Sequence, residues 1–92
     1  MYRVIDSRGS GKTSRLMLLA KEKGAKIACS NPISMQQKAY GYGITGIDFI
    51  PYSDLFNGTV DSNESVMIDE IETFLQNYVD GKFIGYTLTN ED

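Results

Sequence analysis

The sequence predicts one α/β domain spanning residues 1–92, with three layers: a parallel sheet of about five strands and helices on both faces. Three observations predict it. Short apolar runs alternate with amphipathic ones in the order β-α-β-α-β-(α)-β-α-β, which implies parallel strands joined by crossovers. The composition, 41% apolar with six tyrosines and four phenylalanines, is that of a globular chain rather than a disordered one. No internal repeat, low-complexity tract or linker divides the 92 residues, a length near the lower end for a core without staples.

Taken in order, Tyr2–Ile5 ("YRVI") is a strand that runs straight into a glycine loop. "KTSRLMLLAKEK", from Lys12, is a helix: Leu16, Leu19 and Ala20 follow the i, i+3, i+4 spacing of one apolar face. Met17 and Leu18 widen that face, and Gly24 stops the helix. Lys26–Cys29 is the second strand. Asn31 and Pro32 read as an N-cap followed by proline at N1, opening a short helix to about Ala39. Gly41–Gly46 is a flexible passage. Ile47–Tyr52 is a third strand ended near Pro51, with Ser53 capping a turn through Leu55 and Phe56. Ser65–Asp69 is a compact buried strand, Glu70–Val79 a helix closed by Gly81, and Lys82–Thr89 a last strand rich in β-branched and aromatic residues.

Composition removes several classes of function. Cys29 is the single cysteine and there is no histidine, which excludes an internal disulfide and a zinc site of paired cysteines or histidines. No apolar run approaches the roughly 18 residues of a membrane span, and the N-terminus lacks a signal-peptide apolar region. The expectation is a reducing, soluble compartment, the cytoplasm. The net charge of −3 hides a polarity: residues 1–40 carry every Lys and Arg except Lys82, against Asp6 and Glu22 alone among the carboxylates. Either the two halves attract each other, or the basic half forms a face for phosphate or nucleic acid.

Two segments carry chemistry. "DSRGSGKT", Asp6–Thr13, lies between a strand and a helix, the context a phosphate-binding loop requires. Gly9 and Gly11 let the backbone turn its N–H groups inward, and the helix N-terminus adds partial positive charge. Lys12 would reach the β- and γ-phosphates and the Thr13 hydroxyl would ligate Mg²⁺. The candidate nucleotide-binding residues are Ser7, Arg8, Gly9, Ser10, Gly11, Lys12, Thr13 and Ser14. Asp6 stands where such loops begin with glycine; it points away from the phosphates as a capping aspartate, or it weakens the site. The second segment, "SVMIDE", is an apolar strand delivering Asp69 and then Glu70 at its C-terminal end. Asp69 would hold Mg²⁺ through its water shell and Glu70 would orient the attacking water. Read by itself, it is also the start of a helix with acidic first-turn residues. Glu72, further along, faces solvent. In "GYTLTNED", Thr87, Thr89 or Asn90 could contact the γ-phosphate, or the threonines serve only β-propensity.

These segments resemble the Walker A and Walker B motifs of P-loop NTPases with a catalytic glutamate. The chain resembles a minimal RecA-like ATPase core of helicases and phage terminase large subunits. "RGSGKT" is similar to the terminase loop and "VMIDE" to Walker B. "IACSNP" sits where helicases contact nucleic acid, "FIPYSDL" resembles their Tyr-x-x-Leu segment, and "TLT" falls where their coupling motif lies. The resemblance implies a P-loop NTPase-like sheet in which the last strand inserts between the Walker B and P-loop strands, with the site at the C-terminal edge. It implies an ATP hydrolase with ATP and Mg²⁺ as cofactors, Lys12, Glu70 and Thr89 as catalytic residues, and Thr13 and Asp69 as metal ligands. No second RecA-like domain is expected within these 92 residues. Arg3 and Arg15 lie in or beside the first strand and helix, so a partner or another copy in a homo-oligomer would supply a further arginine. Turnover is expected to be slow alone and assisted by nucleic acid or a larger phage assembly. Small size and a trimmed fold suggest a phage or prophage product. The alternative is a non-catalytic, nucleotide-responsive binding module. A small phosphotransferase is disfavoured, because no arginine-bearing lid is recognisable and Glu70 suits water as nucleophile.

Overall fold

The computed structural model describes residues 3–4, 11–82, 84–85 and 87. Within them the order is α1 (Lys12–Lys23), β1 (Lys26–Cys29), α2 (Pro32–Gly41), β2 (Phe49–Pro51), a 3-10 turn (Tyr52–Leu55), β3 (Val66–Ile68) and α3 (Ile71–Tyr78). The strands form a parallel sheet in the order β2-β1-β3. The chain steps from β1 outward to β2 and then back across β1 to β3. Right-handed crossovers in opposite directions must lie on opposite faces, which makes three layers.

The register fixes which residues share a face. Ile27 pairs with Phe49 and Met67, and these three, with Cys29, meet Leu16, Met17 and Ala20 of α1 and Met35 and Ala39 of α2. Ala28 pairs with Ile50 and Ile68 on the other face, where Tyr52, Leu55, Val60, Val66 and Phe74 complete a smaller cluster. The first face is the denser: Met17 and Ile27 are wholly buried, whereas α3 buries no residue completely.

Helix boundaries follow local chemistry. Gly24 ends α1 at φ 66°, and the Ala25 N–H donates to the Ala20 carbonyl at 2.8 Å, the six-to-one bond of a Schellman ending. The Asn31 side chain accepts from the Ser34 N–H at 3.0 Å, capping α2 with Pro32 in the first turn.

Several expectations change. The described sheet has three strands, where about five were expected. Half of 2–5 and half of 82–89 lie outside the described residues, and so does the test of a last strand inserted beside β3. Arg3, Val4, Lys82, Ile84, Gly85 and Thr87 are described and belong to no strand. Ile84 is 87% exposed, so in that segment β-propensity is not matched by the burial that would hold a strand. Leu18 is also exposed: the face of α1 is set by Leu16, Met17 and Ala20. Ser53 lies inside the 3-10 turn rather than capping it, its carbonyl accepting from the Phe56 N–H. The strand at 65–69 is half-buried. No described helix is long and apolar enough to cross a membrane.

Candidate functional site

All strands of a parallel sheet leave at one edge, and a helix leading into the sheet from the other direction starts there. At this edge Cys29 ends β1, Tyr52 follows β2, and Asp69-Glu70 follows β3. Helix α1 begins here too. Gly11 precedes it at φ 83°, a conformation that glycine adopts without cost, and its carbonyl accepts from the Arg15 N–H at 3.1 Å. The next residue, Lys12, places Nζ 2.9 Å from Oε1 of Glu70. Lys12 of the first segment and Glu70 of the second therefore meet.

The turn after β3 is tightly specified. The Asp69 N–H donates to the Ala28 carbonyl at 2.9 Å, extending the ladder one residue past the strand. Glu70 then adopts φ 57°, a left-handed conformation unusual for a residue with a side chain, and opens α3 by accepting from the Phe74 N–H at 3.0 Å. Tyr52, buried on the second face, donates its hydroxyl to the Asp69 carbonyl at 2.7 Å.

Electrostatics divide the two carboxylates. Asp69 is half-buried, and burial followed by the neighbouring Glu70 charge raises its carboxyl above the ordinary value, against the opposing pull of Lys12 and Lys38. Glu70 is exposed and held by the Lys12 ammonium. Behind them the Cys29 thiol is buried, donates to the Ile50 carbonyl at 3.8 Å, and is pushed up to about 11 by burial and then by Asp69.

Of the expected site residues, the structure brings Gly11, Lys12, Asp69 and Glu70 to one edge, with Thr13 and Ser14 in the first turn of α1. Ser14 uses its hydroxyl proton on the Gly11 carbonyl at 3.0 Å. Ser7, Arg8, Gly9, Ser10 and Thr89 lie outside the described residues, as do Asp6 and Asn90. Thr87 and Glu72 are exposed. Comparison with protein-family models, curated proteins and solved structures finds no match. The functional reading therefore rests on the residues gathered at this edge.

Two residues of the site were not assigned a role from sequence. Tyr52 had a signal, a tyrosine where the apolar run "FIPY" ends, but its partner carbonyls are distant in the chain. Lys38 had none, because nothing local says that it approaches Asp69.

The opposite edge of the sheet holds a hollow of about 440 Å³ lined by Lys21, Lys26, Asp48 and Glu64 among others. There Lys26 pairs with Glu64 at 2.8 Å and Asp48 at 3.6 Å. The Glu64 hydrogen bond raises the Lys26 pKa, and Lys26 lowers that of Glu64. This exposed cluster ties together the loops that enter β1, β2 and β3, away from Lys12 and Glu70. Together with the Lys12–Glu70 pair it joins the basic half of the chain to the acidic half, the attraction that the charge asymmetry allowed.

Proposed function

We propose that this chain binds a nucleoside triphosphate, ATP in the first instance, and hydrolyses it slowly with Mg²⁺ at the edge where α1 begins and β3 ends. The observation that carries the reading is the 2.9 Å contact between Lys12 and Glu70, which puts an ammonium and a carboxylate side by side at the carboxyl ends of parallel strands. A triphosphate needs such a cation for its terminal oxygens, and a water attacking it needs such an anion to orient it. Lys12 then exchanges its carboxylate partner for phosphate, and Glu70 is released to hold water.

Mg²⁺ suits the donors present. Thr13 and Asp69 would supply oxygen, the hard donor that this ion prefers. Magnesium usually takes one or two protein oxygens, with water and phosphate completing its shell. When bound, the ion would neutralise charge on the phosphate oxygens. Asp69, kept above its ordinary pKa by burial and Glu70, would gain a compensating charge from such a cation. Ser7, Arg8, Gly9, Ser10 and Ser14 complete the proposed phosphate cradle and Thr89 the catalytic set. A partner, nucleic acid or a phage assembly in the host cytoplasm would accelerate turnover.

A second reading, a nucleotide-responsive binding module, has one observation in its favour. Helix α3 starts at Glu70 and presents Ile71, Tyr78 and Val79 to solvent beside Phe56, so a change at Glu70 reaches an exposed apolar surface directly. Phosphate release from ATP, measured for wild type and Glu70→Gln with and without DNA, separates the readings. Slow release abolished by Glu70→Gln supports hydrolysis. Binding without release under any condition supports the module.

A further inference from the structure

Glu70 needs to be held. It is the one non-glycine residue with positive φ among the described residues, and a left-handed glutamate relaxes unless its surroundings oppose it. The ladder bond from Asp69 to Ala28 and the first turn of α3 act on either side of it. Tyr52 acts on the turn itself: its hydroxyl lies 2.7 Å from the Asp69 carbonyl oxygen and 3.5 Å from that of Glu70. The phenol is itself fixed. Tyr52 is 4% exposed, and its ring stands edge-on to Phe74 at 5.2 Å and to Tyr78 at 6.5 Å, both on α3. It cannot swing aside without unpacking that helix. A phenol keeps its proton near neutral pH, so the hydroxyl is a donor to these carbonyl oxygens.

We infer that Tyr52 is a positioning residue, whose hydroxyl clamps the Asp69-Glu70 turn so that the Glu70 carboxylate faces Lys12 and the space in front of it. This inference rests on the hydrolytic reading of the site. Tyr52 touches neither nucleotide nor water in this role; it acts through the backbone of Glu70. It also links that backbone to the aromatic cluster of Phe56, Phe74 and Tyr78, so the packing of α3 and the aim of Glu70 are coupled.

Tyr52→Phe tests it, because the ring stays and only the hydroxyl goes. The expected result is nucleotide affinity within about twofold of wild type, with kcat lowered roughly tenfold to a hundredfold by a misplaced group. Amide hydrogen exchange provides a readout that needs no turnover: exchange at 70–74 should accelerate in Tyr52→Phe while the amides of β1 keep their protection. If wild type shows no turnover, the hydrolytic reading fails and the exchange measurement alone decides whether Tyr52 holds the turn. Unchanged exchange at 70–74, or an unchanged kcat in an active enzyme, overturns the inference.

Discussion

Lys12 and Glu70 form an ion pair of 2.9 Å although β1, α2, β2 and β3 separate them in the chain. Parallel topology is what brings them together, since helix starts and strand ends share one edge of the sheet. The pair is partly exposed, with side chains 32% and 47% accessible, so it stabilises the fold by no more than about 1 kcal/mol. In the proposed function its role is chemical: an anion would replace Glu70 as the partner of Lys12, and a water molecule would replace Lys12 as the partner of Glu70.

Glu70 should reveal its backbone conformation through substitution. Alanine at φ 57° keeps the left-handed strain and glycine does not, so Glu70→Gly should be more stable than Glu70→Ala by about 1 kcal/mol. Urea unfolding of the two variants measures it. Equal stability, or a more stable alanine variant, would place Glu70 outside the left-handed region.

Asp69 should make stability depend on pH. Its carboxyl is raised above the ordinary 3.8, so the unfolded chain loses this proton more readily than the folded one. The contribution to stability is full below 3.8 and is lost as pH rises through the folded-state value. Asp69→Asn should consequently melt higher than wild type at pH 7, with the difference shrinking as the pH approaches 3. A variant that melts lower at pH 7 would mean that the carboxylate has a stronger favourable partner than Lys12 or Lys38.

Cys29 should be chemically silent in the folded protein. It is 1% exposed and its thiol is pushed up to about 11, which leaves little thiolate near neutral pH. Iodoacetamide at pH 8 should alkylate it slowly before unfolding and rapidly in denaturant. Equal rates in the two states would contradict the packing of β1 against α1 and α2.

The elements legible in the sequence were those whose signals are local. The α1 helix from Lys12 to Lys23, the strand Lys26–Cys29 and the Asn31-Pro32 cap appear where spacing, glycine and capping chemistry place them. Lys12 and Glu70 stood in the sequence as members of two separate motifs, each at the start of a helix, and nothing in either motif specified their contact. Other features depend on tertiary packing. Leu18 has the hydrophobicity of a core residue but projects off the buried stripe, and β3 is only half-buried. The charge of Lys38 acts on Asp69 only once α2 is seated on the sheet, and Tyr52 finds its carbonyls because β2 and β3 flank β1. No local pattern encodes either relationship.

The proposed function depends most on Lys12 receiving a phosphate. Calorimetric titration of Mg²⁺-ATP into wild type and Lys12→Ala tests this directly. The account predicts one nucleotide per wild-type chain and affinity at least about tenfold weaker in Lys12→Ala, the loss of a charge-assisted contact of roughly 1.4 kcal/mol or more. No binding to folded wild type, or equal affinity in both proteins, would contradict it.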